Sequence, residues 1–182
     1  LSAPPGLSPV TFSERALDAV RRRKTPVVSF FLDVRALTDY WIGKSPSVGP
    51  NAGRVYHHTV PVPLLYALHE ALTLLREEGL ENAWARHRAN YHRLRDGLEG
   101  MGLTYWVRSE ADRIPHLNVI RVPDGVDDAG VRRRLLEEFG IEIGAGLGPL
   151  AGRIWRVGLM GYGSHPRNVA YLLNALREVL AR

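Results

Sequence analysis

Apolar residues recur at helical spacing in the first hundred positions and shift to short extended runs afterwards. Ala16, Leu17 and Val20 follow Phe12-Ser13, so a helix is expected to open there, with Ser13 as its N-cap and Pro26 as its stop. The aromatic-rich stretch Ser29–Trp41 predicts a second helix opening around Asp33. Residues 43–55 are rich in Gly, Pro and Ser and read as an exposed loop. Val60-Pro61-Val62-Pro63 is extended by its prolines, and a helix from Pro63 to Glu78 follows, with Gly79 as its C-cap. A long helix is expected from Glu81 to Gly100, with Trp84, His87, Tyr91, Leu94 and Leu98 on one face.

Beyond Gly100 the chain changes character. Tyr105-Trp106-Val107 and Asn118–Val122 read as strands. A helix from Asp128 to Phe139 ends at Gly140, Ile141–Ile143 reads as a short strand, and Ile154–Met160 as another. His165-Pro166 opens a final helix to Leu180. The order β-β-α-β-β-α places the chain in the α/β class, as a small α+β domain whose open, antiparallel-type sheet has helices on one face. The boundary is expected near residue 80, giving a region 1–80 and a region 81–182.

With 182 residues, 45% of them hydrophobic and 24% charged, the chain can bury a core and still dissolve. No apolar run approaches the ~20 residues that span a bilayer. The opening LSAPPGLSPV is neither a signal peptide nor an amphipathic leader, and a start at Leu1 without Met suggests a piece of something longer. Without cysteine there can be no disulfide, thiolate metal site or thiol nucleophile, and cytoplasmic residence is the expectation. The formal charge is +5, and every basic residue except Lys24 and Lys44 is arginine, as GC-rich coding would produce. A basic balance can serve nucleic acid or an anionic substrate. Both clusters, Arg21-Arg22-Arg23-Lys24 and Arg132-Arg133-Arg134, also have a structural reading: one completes a helix end, and the other sits beside Glu137 and Glu138 on a helix.

Gly144-Ala145-Gly146-Leu147-Gly148-Pro149 resembles a loose dinucleotide fingerprint, but a strand follows it where that motif needs a helix. It reads better as a glycine-rich connection whose backbone approaches a ligand or another segment. The histidine pairs His57/His58 and His87/His92 have poor spacing for a shared metal, and no serine sits in a nucleophile elbow. Arg156 lies in a run that otherwise reads as buried strand. A buried guanidinium needs a carboxylate or phosphate partner, whereas on an edge strand it could simply face water.

Taken together, Tyr56-His57-His58-Thr59-Val60-Pro61-Val62, Glu78-Gly79-Leu80-Glu81-Asn82, Glu142–Pro149 and Trp155–Gly161 resemble the alanine–glyoxylate and serine–pyruvate aminotransferase family. These are class-V, fold-type I pyridoxal-phosphate enzymes, and insect 3-hydroxykynurenine transaminases are close relatives. The order extends from Ala3-Pro4-Pro5-Gly6 and Phe31-Leu32-Asp33 to the last helix, so the likeness covers almost the whole chain. Part of 43–55 resembles an insertion relative to the animal enzymes.

The resemblance implies a homodimer using pyridoxal 5'-phosphate, with this chain as the C-terminal half: 1–80 complete the large cofactor-binding and dimerisation domain, and 81–182 form the small domain. It implies Arg156 as the anchor for the substrate α-carboxylate. Tyr56 and Thr59 are implied to reach the cofactor phosphate of the neighbouring subunit, with His57 and His58 only shaping that loop. The glycine segment 144–148 would form the wall beside the substrate. The family's Schiff-base lysine would fall two residues before Leu1, and neither Lys24 nor Lys44 is in a setting to replace it, so the chain alone is expected to be inactive. The implied reaction moves an amino group from a small amino acid, alanine or serine, to glyoxylate or pyruvate. Two rivals are a non-catalytic module that pairs with a separate catalytic chain, and nucleic-acid binding through the arginine clusters. The second lacks interleaved exposed aromatics.

Overall fold

The computed structural model describes residues 1–43 and 55–181. The chain divides into two compact units, Pro5–Tyr66 on one hand and Leu1–Pro4 with Ala67–Arg182 on the other.

In the first unit, α1 (Glu14–Arg21) starts where the Ser13 hydroxyl accepts from Ala16 N. Helix α2 (Val34–Trp41) starts where the Asp33 carboxylate accepts from Arg35 N at 3.0 Å. Each cap satisfies a backbone donor that the first turn leaves unpaired. Neither helix has a buried residue, and among the unit's described residues His57 alone is buried. Phe30, Phe31, Leu32, Trp41 and Ile42 stay exposed. So small an apolar interior is too little to hold such a unit by itself.

The second unit has the core. Helix α3 (Val62–Glu78) ends at Gly79, whose φ of +83° lets the chain turn sharply into α4 (Leu80–Glu99). Then come β1 (Leu117–Arg121), α5 (Asp128–Phe139), β2 (Gly144–Ala145), β3 (Ile154–Gly158) and α6 (Pro166–Leu180). The sheet runs β1-β3-β2, antiparallel throughout. Tyr91, Leu94 and Leu98 of α4, Val131 and Leu135 of α5, and Val169, Leu172 and Leu176 of α6 meet Ile120, Trp155 and Val157 of the sheet in one apolar cluster. Alternate strand residues therefore face the helices, and those between them face away. Helices α4 and α6 approach closely at Gly97, where a Cβ would come within 2.3 Å of Leu173 Cδ1. Trp155 Nε1 donates to Asp128 Oδ1 at 2.9 Å, and the Asn118 amide bonds Tyr105 and the Val157 carbonyl, whereas the buried Tyr91 hydroxyl has no hydrogen-bond partner among the described residues.

Two expected strands are absent. Tyr105-Trp106-Val107 forms only an isolated bridge, Tyr105 to Ile120, flanked by hydrogen bonds from Trp106 N to Val119 O and from Arg121 N to Thr104 O. Its side chains go elsewhere, since Tyr105 is buried against Asn118 and the Trp106 ring stacks beside the Arg121 and Arg153 guanidiniums. Ile141–Ile143 is not a strand either. Ile143 is buried in the core, and pairing begins only at Gly144 and Ala145. On α4, Trp84 is exposed, although it was expected on the inward face. The arginine clusters are partly paired within the chain: Arg21 with Asp18, Arg132 with Asp128 and Arg134 with Glu138.

Candidate active-site residues

Arg156 occupies the middle of β3, opposite Val119 on one side and Gly144 on the other. Paired residues of antiparallel strands share a face, and Trp155 and Val157 occupy the core face, so Arg156 lies on the face away from the helices. It is half-buried, and its Nε donates to Ala145 O at 2.7 Å. Among the described residues, neither terminal nitrogen meets an acceptor or a carboxylate. A Cβ at Gly144 would come to 3.3 Å from Nε and Nη2, so the glycine gives the guanidinium its room. A half-buried planar fork with its outer edge open is a receptor for a bidentate oxyanion.

Tyr56 and Thr59 belong to the other unit, where the structure brings them together: the two hydroxyls lie 2.7 Å apart and both side chains are exposed. Behind them His57 stacks on Phe30, with ring centroids 4.2 Å apart. The acceptor-only carbonyl of Phe30 takes the hydrogen of His57 Nε2 at 2.9 Å, and His57 Nδ1 shares a hydrogen bond with His58 Nδ1 at 2.8 Å, accepting it when the His57 ring is neutral. Both histidines thus brace the loop that presents the hydroxyls. Two adjacent hydroxyl donors suit a phosphate, whose oxygens are acceptors. Lys24 lies exposed past the end of α1, and Lys44 lies outside the described residues, as does most of the 43–55 loop.

One cluster escapes the sequence reading. The turn Gly161–Ser164 meets Arg86 and His87 of α4 and Ser2, and Arg86 is in turn held by Glu78 of α3. These groups line a cavity of about 940 Å³ together with Trp84, His116 and Met160. The Arg86 hydrogen bond holds the Glu78 carboxyl below the usual range and raises the arginine in turn. No local spacing announces the cluster, since the Ser2, 78–87 and 161–164 segments that form it are more than seventy positions apart. Only His87 on the apolar face of α4 is a visible sign.

With this geometry in hand, similarity decides the family. The aminotransferase class-V family model matches residues 1–155. The chain belongs to that family. An alanine–glyoxylate aminotransferase of Callithrix jacchus is 43% identical over 180 residues, covering 99% of this chain and 42% of the relative. A crystal structure of alanine–glyoxylate aminotransferase from Nostoc sp. is 46% identical with a TM-score of 0.82, over 93% of this chain and 42% of that one. The ureidoglycine–glyoxylate aminotransferase of Bacillus subtilis superposes with a TM-score of 0.88 at 39% identity, over the whole of this chain and 44% of that one. The chain therefore spans well under half the length of the curated relatives it matches. The neighbours are fold-type I aminotransferases.

Proposed function

We propose that the protein carrying this chain transfers an amino group from alanine or serine to glyoxylate or pyruvate, using pyridoxal 5'-phosphate. The observation that carries this reading is Arg156, half-buried with its two terminal nitrogens open beside Gly144. A guanidinium held by its Nε alone presents the remaining fork to a substrate α-carboxylate, and fixing that group orients the Cα–H bond for proton removal. Segment 144–148 forms the wall beside the substrate, and Gly144 leaves the guanidinium the space a side chain would fill. Tyr56 and Thr59 donate to the cofactor phosphate of a neighbouring subunit, and the exposed aromatics of the Pro5–Tyr66 unit are surface a homodimer would cover. The bound cofactor supplies an electron sink for the carbon that gives up its proton. On this reading the proton-moving group is the lysine that the family resemblance implies just ahead of Leu1-Ser2-Ala3-Pro4-Pro5-Gly6. Residues 1–80 then complete the large domain and 81–182 form the small one. The lack of cysteine suits a cytoplasmic setting. A larger donor is the second reading, favoured by the likeness to an enzyme named for ureidoglycine.

The test is Arg156→Ala in the full-length protein. Losing a charged, bidentate contact of about 2–4 kcal/mol should raise KM for the amino acid roughly 30- to 1000-fold, with cofactor still bound. An unchanged KM would refute the reading.

A further inference from the structure

The turn after β3 is gripped by α4 at both polar groups of one residue. Gly161 N donates to His87 Nε2 at 3.1 Å, and Gly161 O accepts from Arg86 Nη1 at 2.8 Å. The same arginine nitrogen donates to Ser164 O at 2.8 Å, and Asn90 Nδ2 donates to the fully buried Ser164 hydroxyl at 3.2 Å. Glu78 takes the rest of the guanidinium, through Nε and through Nη2 at 2.8 Å. The turn in its own right holds the amino-terminal segment, since Tyr162 N donates to Ser2 Oγ at 2.9 Å. Ser2 has φ +58°, a left-handed backbone uncommon outside glycine, and a Cβ on Gly161 would stand 2.4 Å from that same Oγ.

The His87 bond exists in one protonation state only. Its Nδ1 lies 2.6 Å from Ala83 O, which can only accept, so Nδ1 carries the hydrogen and Nε2 is a bare acceptor for Gly161. A second proton would sit on Nε2 and face the Gly161 N–H, donor against donor. The titratable and charged groups around it are Glu78 from α3, Arg86 and Arg88 from α4, His116 before β1, Tyr162 in the turn, and the Leu1 amino group. Glu78, paired with Arg86, also lies close enough to feel a charge on His87, but it cannot replace the acceptor that Gly161 N–H would lose.

We propose that His87, assisted by Arg86, is a positioning residue: neutral His87 locks the Gly161–Ser164 turn to α4 and to Ser2, and proton uptake at His87 unlocks it. The positioning role rests on the proposed amino transfer. Arg156 lies on the strand that leads into this turn, and the lysine is placed just before the segment this turn holds. The lock would therefore set the spacing between the carboxylate anchor and the proton-moving amine.

The experiment compares His87→Ala and His87→Gln in the full-length holoenzyme, by amide hydrogen exchange at Gly161 and Tyr162 and by KM and kcat across pH. A glutamine oxygen can accept from Gly161 N–H but does not titrate in this range. His87→Ala should exchange roughly tenfold faster at these amides, the factor one hydrogen bond gives, and should raise KM more than it lowers kcat. His87→Gln should keep the parent's exchange and KM at neutral pH and lose the parent's rise in KM on acidification. Unchanged exchange in His87→Ala, or an acid rise in KM surviving in His87→Gln, overturns the proposal. The two readings can fail separately: exchange at Gly161 reports the lock whatever the reaction, whereas a normal KM in Arg156→Ala removes the amino-transfer reading and the positioning role with it.

Discussion

Gly146→Ala is the sharpest test of how the glycine segment is built. The added methyl would lie 1.9 Å from Leu150 O and 2.4 Å from Leu150 C, both backbone atoms, and 2.9 Å from Ile154 Cγ1. No rotamer change relieves a clash with main chain, so the turn over residues 148–150 or the edge of the sheet must move. That movement also strains the Gly146 N to Ile154 O bond, 3.1 Å long, which extends the β2–β3 ladder. Overpacking costs about 1–3 kcal/mol and a weakened buried backbone bond about 1 more, so a loss of roughly 3 kcal/mol is expected. In thermal unfolding of the full-length protein this corresponds to a midpoint lower by roughly 3–6 °C. Two neighbours serve as controls. Gly148 has open space around it and a φ of +52°, so Gly148→Ala meets only backbone strain, about 1–2 kcal/mol. At Gly144 the methyl meets only the flexible Arg156 side chain, so Gly144→Ala should leave the midpoint nearly unchanged and weaken amino-acid binding instead. A Gly146→Ala protein that melts with the parent, or above Gly148→Ala, would refute this account of the segment.

Tyr56→Phe and Thr59→Val each remove one hydroxyl donor from the pair at 2.7 Å, and each should weaken pyridoxal phosphate retention roughly 10- to 100-fold in a dialysis or absorbance titration. If both variants hold cofactor as the parent does, the phosphate role is wrong. The Arg86 hydrogen bond depresses the Glu78 carboxyl below its ordinary 4.5, so its stabilisation is complete above that value and is lost as pH falls through the lower folded value. Glu78→Gln should therefore flatten the loss of stability below about pH 4.5 in acid-unfolding curves; an acid limb identical to the parent's would show that this ion pair contributes nothing.

Helix boundaries were legible because their signals are local. Ser13, Asp33 and His165 each cap the helix that the apolar periodicity announces, and Gly140 ends α5 in a left-handed conformation. The strands were less legible because pairing depends on distant residues. The alternation Ile141-Glu142-Ile143 attracts a strand assignment, but the ladder forms at Gly144, where Arg156 opposite needs the space a side chain would fill. Tyr105 reads as strand from its aromatic character, yet its burial is directed by Asn118 and Ile120, and the backbone touches β1 at one bridge only. Arg156 was legible as an oddity, a charge in an apolar run. The lock around Gly161 was not, since Ser2, Glu78, Arg86 and His87 reach it from far along the chain.

The strand order β1-β3-β2 also has a consequence for synthesis on the ribosome. Strands β1 and β2 never touch each other, and each waits for β3, which pairs Leu117 with Gly158 and Gly144 with Arg156. Until β3 leaves the exit tunnel, both earlier strands expose unpaired edges, and α6, which closes the core over α4 and α5, is later still. The nascent domain therefore passes most of its translation without a sheet and completes it in one late step, an interval in which chaperone contact matters most.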